Sequence, residues 1–123
     1  MCDAAPLSRK TLMVVEDDSE MRAMLSELLF QSGYSVFSSD NAQSACDLAR
    51  MLRPVAILCD VVMPTMSGFE AAERLRQDPQ TSSIPVILMT GHRLQYDHSL
   101  YLRWLHKPFT SEQLTSAIAL TVN

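Results

Sequence analysis

The chain has 123 residues, 47% of them hydrophobic and 20% charged, with a formal charge of −4. That is the size and composition of one globular domain rather than a disordered chain, and it leaves no obvious room for a second, effector domain. Fourteen acidic against ten basic residues argue against a dedicated binder of nucleic acid or anionic membrane, whose affinity needs clustered Lys and Arg.

Residues 1–10 read as an N-terminal extension and 11–123 as the domain. The extension lacks the apolar stretch of a signal peptide, and no run approaches the ~18 residues of a membrane span. Cys2, Cys46 and Cys59 form neither a disulfide framework nor a zinc-ligand spacing, so a reducing, cytoplasmic setting is expected. Leu12–Val15 is a short apolar run suited to a strand buried on both faces. Met21, Met24, Leu25, Leu28 and Leu29 then repeat at helical spacing, with Ser19 placed to cap the start and Gly33 to end the helix. Tyr34–Ser38 reads as a strand, and Ala42, Ala45, Cys46 and Ala49 as the inner face of a second helix closed by Pro54. Val55–Cys59 is another buried-strand run. A helix starting near Ser67 carries Phe69, Ala72 and Leu75 inward, and Asp78-Pro79 marks the turn after it.

Ile84–Met89 predicts a fourth strand and Tyr101–Leu105 a fifth. The crossover between them, Gly91–Leu100, is short and polar. It sits at the lower limit of roughly 10–12 residues for such a connection, so a truncated or irregular helix is expected there. Thr110-Ser111-Glu112-Gln113 fits a capping box, followed by a helix with Leu114, Ala117, Ile118, Thr121 and Val122 on one face. Five strands alternating with helices predict an α/β fold with a parallel sheet and helices on both faces.

In such sheets the functional crevice lies beyond the carboxyl ends of the strands. Strand 1 ends in Glu16-Asp17-Asp18, strand 3 in Asp60, strand 4 in Thr90, and strand 5 just before Lys107-Pro108-Phe109. A doubly wound order puts strands 1 and 3 side by side, so Asp17 and Asp60 converge. Packed carboxylates repel by about 4 kcal/mol at ~4 Å and an effective dielectric near 20. They therefore recruit a cation or shift a pKa. Oxygen-only ligands suit Mg²⁺, and no Cys or His sits among the strand ends in a zinc pattern. A divalent cation beside an Asp, a Thr hydroxyl and a Lys ammonium makes a site for a phosphoryl group. Lys10 and Lys107 are the only lysines, against eight arginines.

Glu16-Asp17-Asp18, Asp60-Val61-Val62-Met63-Pro64 with Gly68, Thr90, and Lys107-Pro108-Phe109 resemble the receiver domains of two-component response regulators, over about residues 11 to 122. The resemblance implies a flavodoxin-like, doubly wound sheet of order 2-1-3-4-5. It implies Asp60 as the phosphoacceptor and a sensor histidine kinase or histidine phosphotransfer protein as donor. Mg²⁺ would be held by Asp17, Glu16, Asp60 and the Val62 backbone carbonyl, with Thr90 and Lys107 on the phosphoryl oxygens. Asp18 is left as a spare acid for the helix start.

Phosphorylation would bias protein–protein contacts to a downstream target, without direct nucleic-acid or membrane binding by this domain and without turnover of an external metabolite. Trp104 stands where the family usually has a Tyr or Phe that rotates on activation. It is a switch candidate coupled to Thr90, with packing against the core or the sheet edge as the alternative. The short crossover bears on an output face the family often uses. His92, His98 and His106 read as loop or surface residues, His106 being the one placed to make phosphotransfer pH-sensitive.

Two other classes compete. An aspartyl-phosphate phosphatase would place its nucleophile on strand 1 with an acid two residues on, the spacing of Glu16 and Asp18, but no substrate cap is evident. A flavin binder would need a Ser/Thr-rich phosphate loop after strand 1, where this chain is acidic.

Overall fold

The computed structural model describes residues 9–91 and 102–122. They form β1 (Thr11–Val15), α1 (Ser19–Gln31), β2 (Ser35–Ser39), α2 (Ala42–Leu52), β3 (Ala56–Asp60), α3 (Gly68–Gln77), β4 (Val86–Thr90), β5 (Leu102–His106) and α4 (Ser111–Val122). The sheet order is β2-β1-β3-β4-β5 with every pair parallel, the doubly wound arrangement expected. Strands begin and end within two residues of the predicted limits, so Asp60 is the last residue of β3 rather than the first beyond it.

The period of two along each strand divides the core between the two faces of the sheet. Met13, Val15, Ile57, Cys59 and Leu88 pack with the small inner residues of α2 and α3, while Leu12, Val14, Leu58, Ile87 and Met89 pack with Leu25 and Leu29 of α1 and Leu114 and Ile118 of α4. The three central strands, β1, β3 and β4, are buried almost throughout, as their unbroken apolar runs require. Each fully buried Leu, Ile or Met contributes about 1.5–3 kcal/mol.

Helix starts are fixed by side-chain caps. Asp18, not Ser19, caps α1: it is extended, and its carboxylate accepts from the Met21 N–H, whereas Ser19 is already helical. Asn41 caps α2, Ser67 and Glu70 form a capping box on α3, and Thr110 and Gln113 exchange the same pair of bonds before α4, as predicted. Gly33 carries the positive φ, 105°, that turns the chain out of α1.

Two inward assignments do not hold: Met24 is 55% exposed and Phe69 38%. Helical spacing gave Met24 a place on the buried stripe of α1, but only Leu25 and Leu29 of that helix are buried. Phe69 belongs to the first turn of α3, ahead of the buried Ala71, Ala72 and Leu75. The predicted crossover helix, together with Tyr101, His92, His98 and Cys2, lies outside the described residues.

At the amino edge of the sheet, Arg9 donates from Nη1 to the carbonyls of Phe30 and Tyr34, both at 3.1 Å, with its guanidinium 4.6 Å from the Phe30 ring centroid. Lys10 Nζ reaches the Val122 carbonyl at 3.5 Å. Neither α1 nor α4 has a basic residue in its own last turn, so these two cations complement the carboxyl ends of both helices.

Candidate functional site

Glu16 follows β1, Asp60 ends β3, Thr90 ends β4, and Lys107 follows β5, so the parallel order delivers all four to the carboxyl edge. A backbone bond from Lys107 N to the Thr90 carbonyl, 2.7 Å, continues the β4–β5 pairing to the lysine. Its Nζ then bridges two carboxylates, Asp60 Oδ1 at 3.2 Å and Glu16 Oε1 at 3.3 Å. Asp17 completes the group: Glu16, Asp17 and Asp60 each offer a carboxylate oxygen, all within 4.8 Å of one another. Glu16, Asp60 and Thr90 are buried while Asp17 is exposed, so the cluster is deep on one side and open to water on the other.

Burial, and then the neighbouring Asp60 charge, push the Glu16 carboxyl above its ordinary value against the opposing pull of Lys107. Burial by itself would lower the Lys107 ammonium. The charges of Asp60 and Glu16 outweigh it, and the net shift is upward, so the lysine stays charged.

Two backbone features shape the loop after Asp60. A Cβ on Gly68 would lie 2.4 Å from the Asp60 carbonyl oxygen and 2.9 Å from Val61 Cα, so only glycine lets α3 begin directly against the end of β3. The Gly68 N–H uses that closeness to donate to the Val61 carbonyl. Between them Thr65 adopts φ 70°, and the Lys107–Pro108 peptide is cis. Val62 lies in this loop with an exposed side chain.

Trp104 is half-buried on β5, opposite Leu88 in register, against the core face that carries α2 and α3. Its ring packs on Phe69 with centroids 5.5 Å apart, tilted by 54°. Cys59, beside Asp60, is a buried thiol pushed strongly upward by burial, which suits it to packing rather than chemistry. His106 is exposed and pairs in register with Thr90.

Sequence reasoning gives no site role to Arg22, whose Nη1 donates to the Glu16 carbonyl at 2.8 Å and lies 3.5 Å from that of Asp17. The available signal was a cation close to a helix start, where the macrodipole disfavours it. Phe69 was given to the core instead of to Trp104.

A five-stranded parallel sheet with an acid cluster and a lysine at its carboxyl edge defines a phosphoacceptor domain of two-component signalling. Comparison with known proteins agrees: residues 12–119 match the model of the response regulator receiver domain, and the chain belongs to that family. It is 32% identical to the protein PilH of Pseudomonas aeruginosa, the match covering 87% of this chain and 93% of PilH. It is 32% identical to hybrid signal transduction histidine kinase D of Dictyostelium discoideum over 90% of this chain but only 7% of that much longer protein. The solved structure of the chemotaxis protein CheY4 of Vibrio cholerae superposes with a TM-score of 0.85 at 27% identity, covering 93% of this chain and 99% of CheY4.

Proposed function

We propose that Asp60 is the residue of this receiver that is phosphorylated, by a sensor histidine kinase or a histidine phosphotransfer protein. The observation that carries the reading is the double bridge of Lys107, which holds one ammonium against Asp60 and Glu16 at once with Asp17 alongside. An Asp60 carboxylate oxygen attacks phosphorus as the phosphorus–nitrogen bond of a phosphohistidine breaks, and the electron pair leaves with the imidazole. Lys107 and the Thr90 hydroxyl receive the phosphoryl oxygens.

The residues fit Mg²⁺. The donors are all oxygen, one side is open for water ligands, and three carboxylates against one ammonium leave a deficit of two charges. Glu16, Asp17, Asp60 and the Val62 carbonyl would hold the ion, which supplies neutralisation of phosphoryl charge. The phosphatase-like alternative has no observation in its favour. Asp18, its acid, is engaged in capping α1.

The receiver is taken as residues 11–123, with 1–10 as an extension. It would act in the cytoplasm as a signalling domain rather than a turnover enzyme. No helix among the described residues is long and apolar enough to cross a membrane. Its output would pass to a downstream protein target.

The test is intact-mass measurement after incubation with acetyl phosphate and Mg²⁺. The unaltered chain should gain one hydroxylamine-labile phosphoryl group and Asp60→Asn none; equal gain by both removes the assignment. Trp104, the sole tryptophan, should change its emission when beryllofluoride and Mg²⁺ are added. Because the indole rests on Phe69, Phe69→Leu should shrink that change. An unaltered spectrum under saturating mimic would exclude Trp104 from the switch.

A further inference from the structure

We infer that Arg22 is a positioning residue for the metal-ligating acids, an inference that rests on the Mg²⁺ reading above. The main chain at Glu16 is pinned from two sides. Its N–H donates to the Ser39 carbonyl at the end of β2, 3.0 Å away. Its carbonyl accepts from Arg22 Nη1 at 2.8 Å, and the same nitrogen lies 3.5 Å from the Asp17 carbonyl. The first bond is backbone to backbone and survives most substitutions. The second is supplied by a single side chain.

Arg22 is the fourth residue of α1. A guanidinium there faces the positive end of the helix dipole, an unfavourable place for a cation. It also stands close to acids that must receive a second cation, which by charge alone would weaken metal binding. Both costs are offset by what the group holds in place. Charged donors make the stronger hydrogen bonds to a carbonyl, and one nitrogen shared between the Glu16 and Asp17 carbonyls fixes the turn of the chain between them. With the Glu16 peptide held, its side chain is directed to Lys107 and the Asp60 side of the cluster, while the next residue turns Asp17 to the open side. Removing such outer support from a metal site typically costs 10–100-fold in affinity.

The test is isothermal titration of the full chain with MgCl₂ alone, for the unaltered protein, Arg22→Met and Arg22→Lys, with thermal melts of each in the absence of metal. Arg22→Met keeps the apolar stem and removes both the charge and the donor. Positioning predicts that it binds Mg²⁺ about 10-fold more weakly, and that Arg22→Lys, which keeps a charged N–H donor on a shorter side chain, falls between. Charge alone predicts the opposite sign, tighter binding by Arg22→Met. A purely structural role lowers the melting temperature and leaves the affinity where it was. Either of those results overturns the inference. Absence of Mg²⁺ binding by the unaltered chain would instead defeat the metal reading itself, and the role with it.

Discussion

Thr65 is a β-branched residue held at φ 70° in the loop between Asp60 and α3, a conformation that costs a non-glycine side chain on the order of 1–3 kcal/mol. Thr65→Gly removes that cost while adding some unfolded-state freedom. It should raise stability by about 1 kcal/mol, read as a higher urea midpoint with an unchanged slope. At this scale the site was legible from the sequence wherever chemical identity and strand position coincide: Asp60, Glu16, Thr90 and Lys107 each stand at or just beyond a strand end. What pattern could not show is contact between distant residues. Lys107 grips Glu16 as well as Asp60, ninety-one and forty-seven positions away. Arg22 reaches back to a carbonyl, and a carbonyl leaves no trace in residue identity.

Among the elements, α2 and α3 are joined at their carboxyl ends by Arg50, which donates from Nε and Nη2 to Asp78 Oδ2 at 2.8 and 2.7 Å. The Asp78 carboxyl is held below its ordinary 3.8 first by the Gln80 N–H; desolvation opposes this, and the hydrogen bond and charge of Arg50 add to the lowering. A depressed pKa in the folded state means that the contribution is present above the ordinary value and disappears as pH falls through the lowered one. Asp78→Ala should therefore lower the melting temperature at pH 7, and the difference should narrow steadily in melts taken at progressively more acidic pH below the ordinary carboxyl value. Strands and helices were readable because unbroken apolar runs and 3.6-residue spacing are properties of the chain itself. The misplaced inward residues, Met24 and Phe69, come from a different quantity. How far a sheet extends under a helix depends on partners far away in sequence, so periodicity marks a stripe without marking its ends.

For the molecule as a whole, the parallel sheet separates two poles. Glu16, Asp17, Asp18 and Asp60 gather at the carboxyl edge. Arg9 and Lys10 sit at the other, where the last turn of α3 also brings Arg74, while Arg50 and Arg76 there are paired with Asp78 and Glu73. Among the described residues an acid cluster thus faces one way and the Arg9–Lys10 pair the other, and the acid pole is the one that carries the candidate site. Such a molecule is turned before it is touched. A partner with a basic rim meets it acid pole first, with an advantage that fades as the Debye length shrinks to about 8 Å at physiological salt. A small anionic donor meets repulsion from the same pole. The layout that assembles the chemistry therefore also sorts what approaches it, by charge and by distance, before any contact forms.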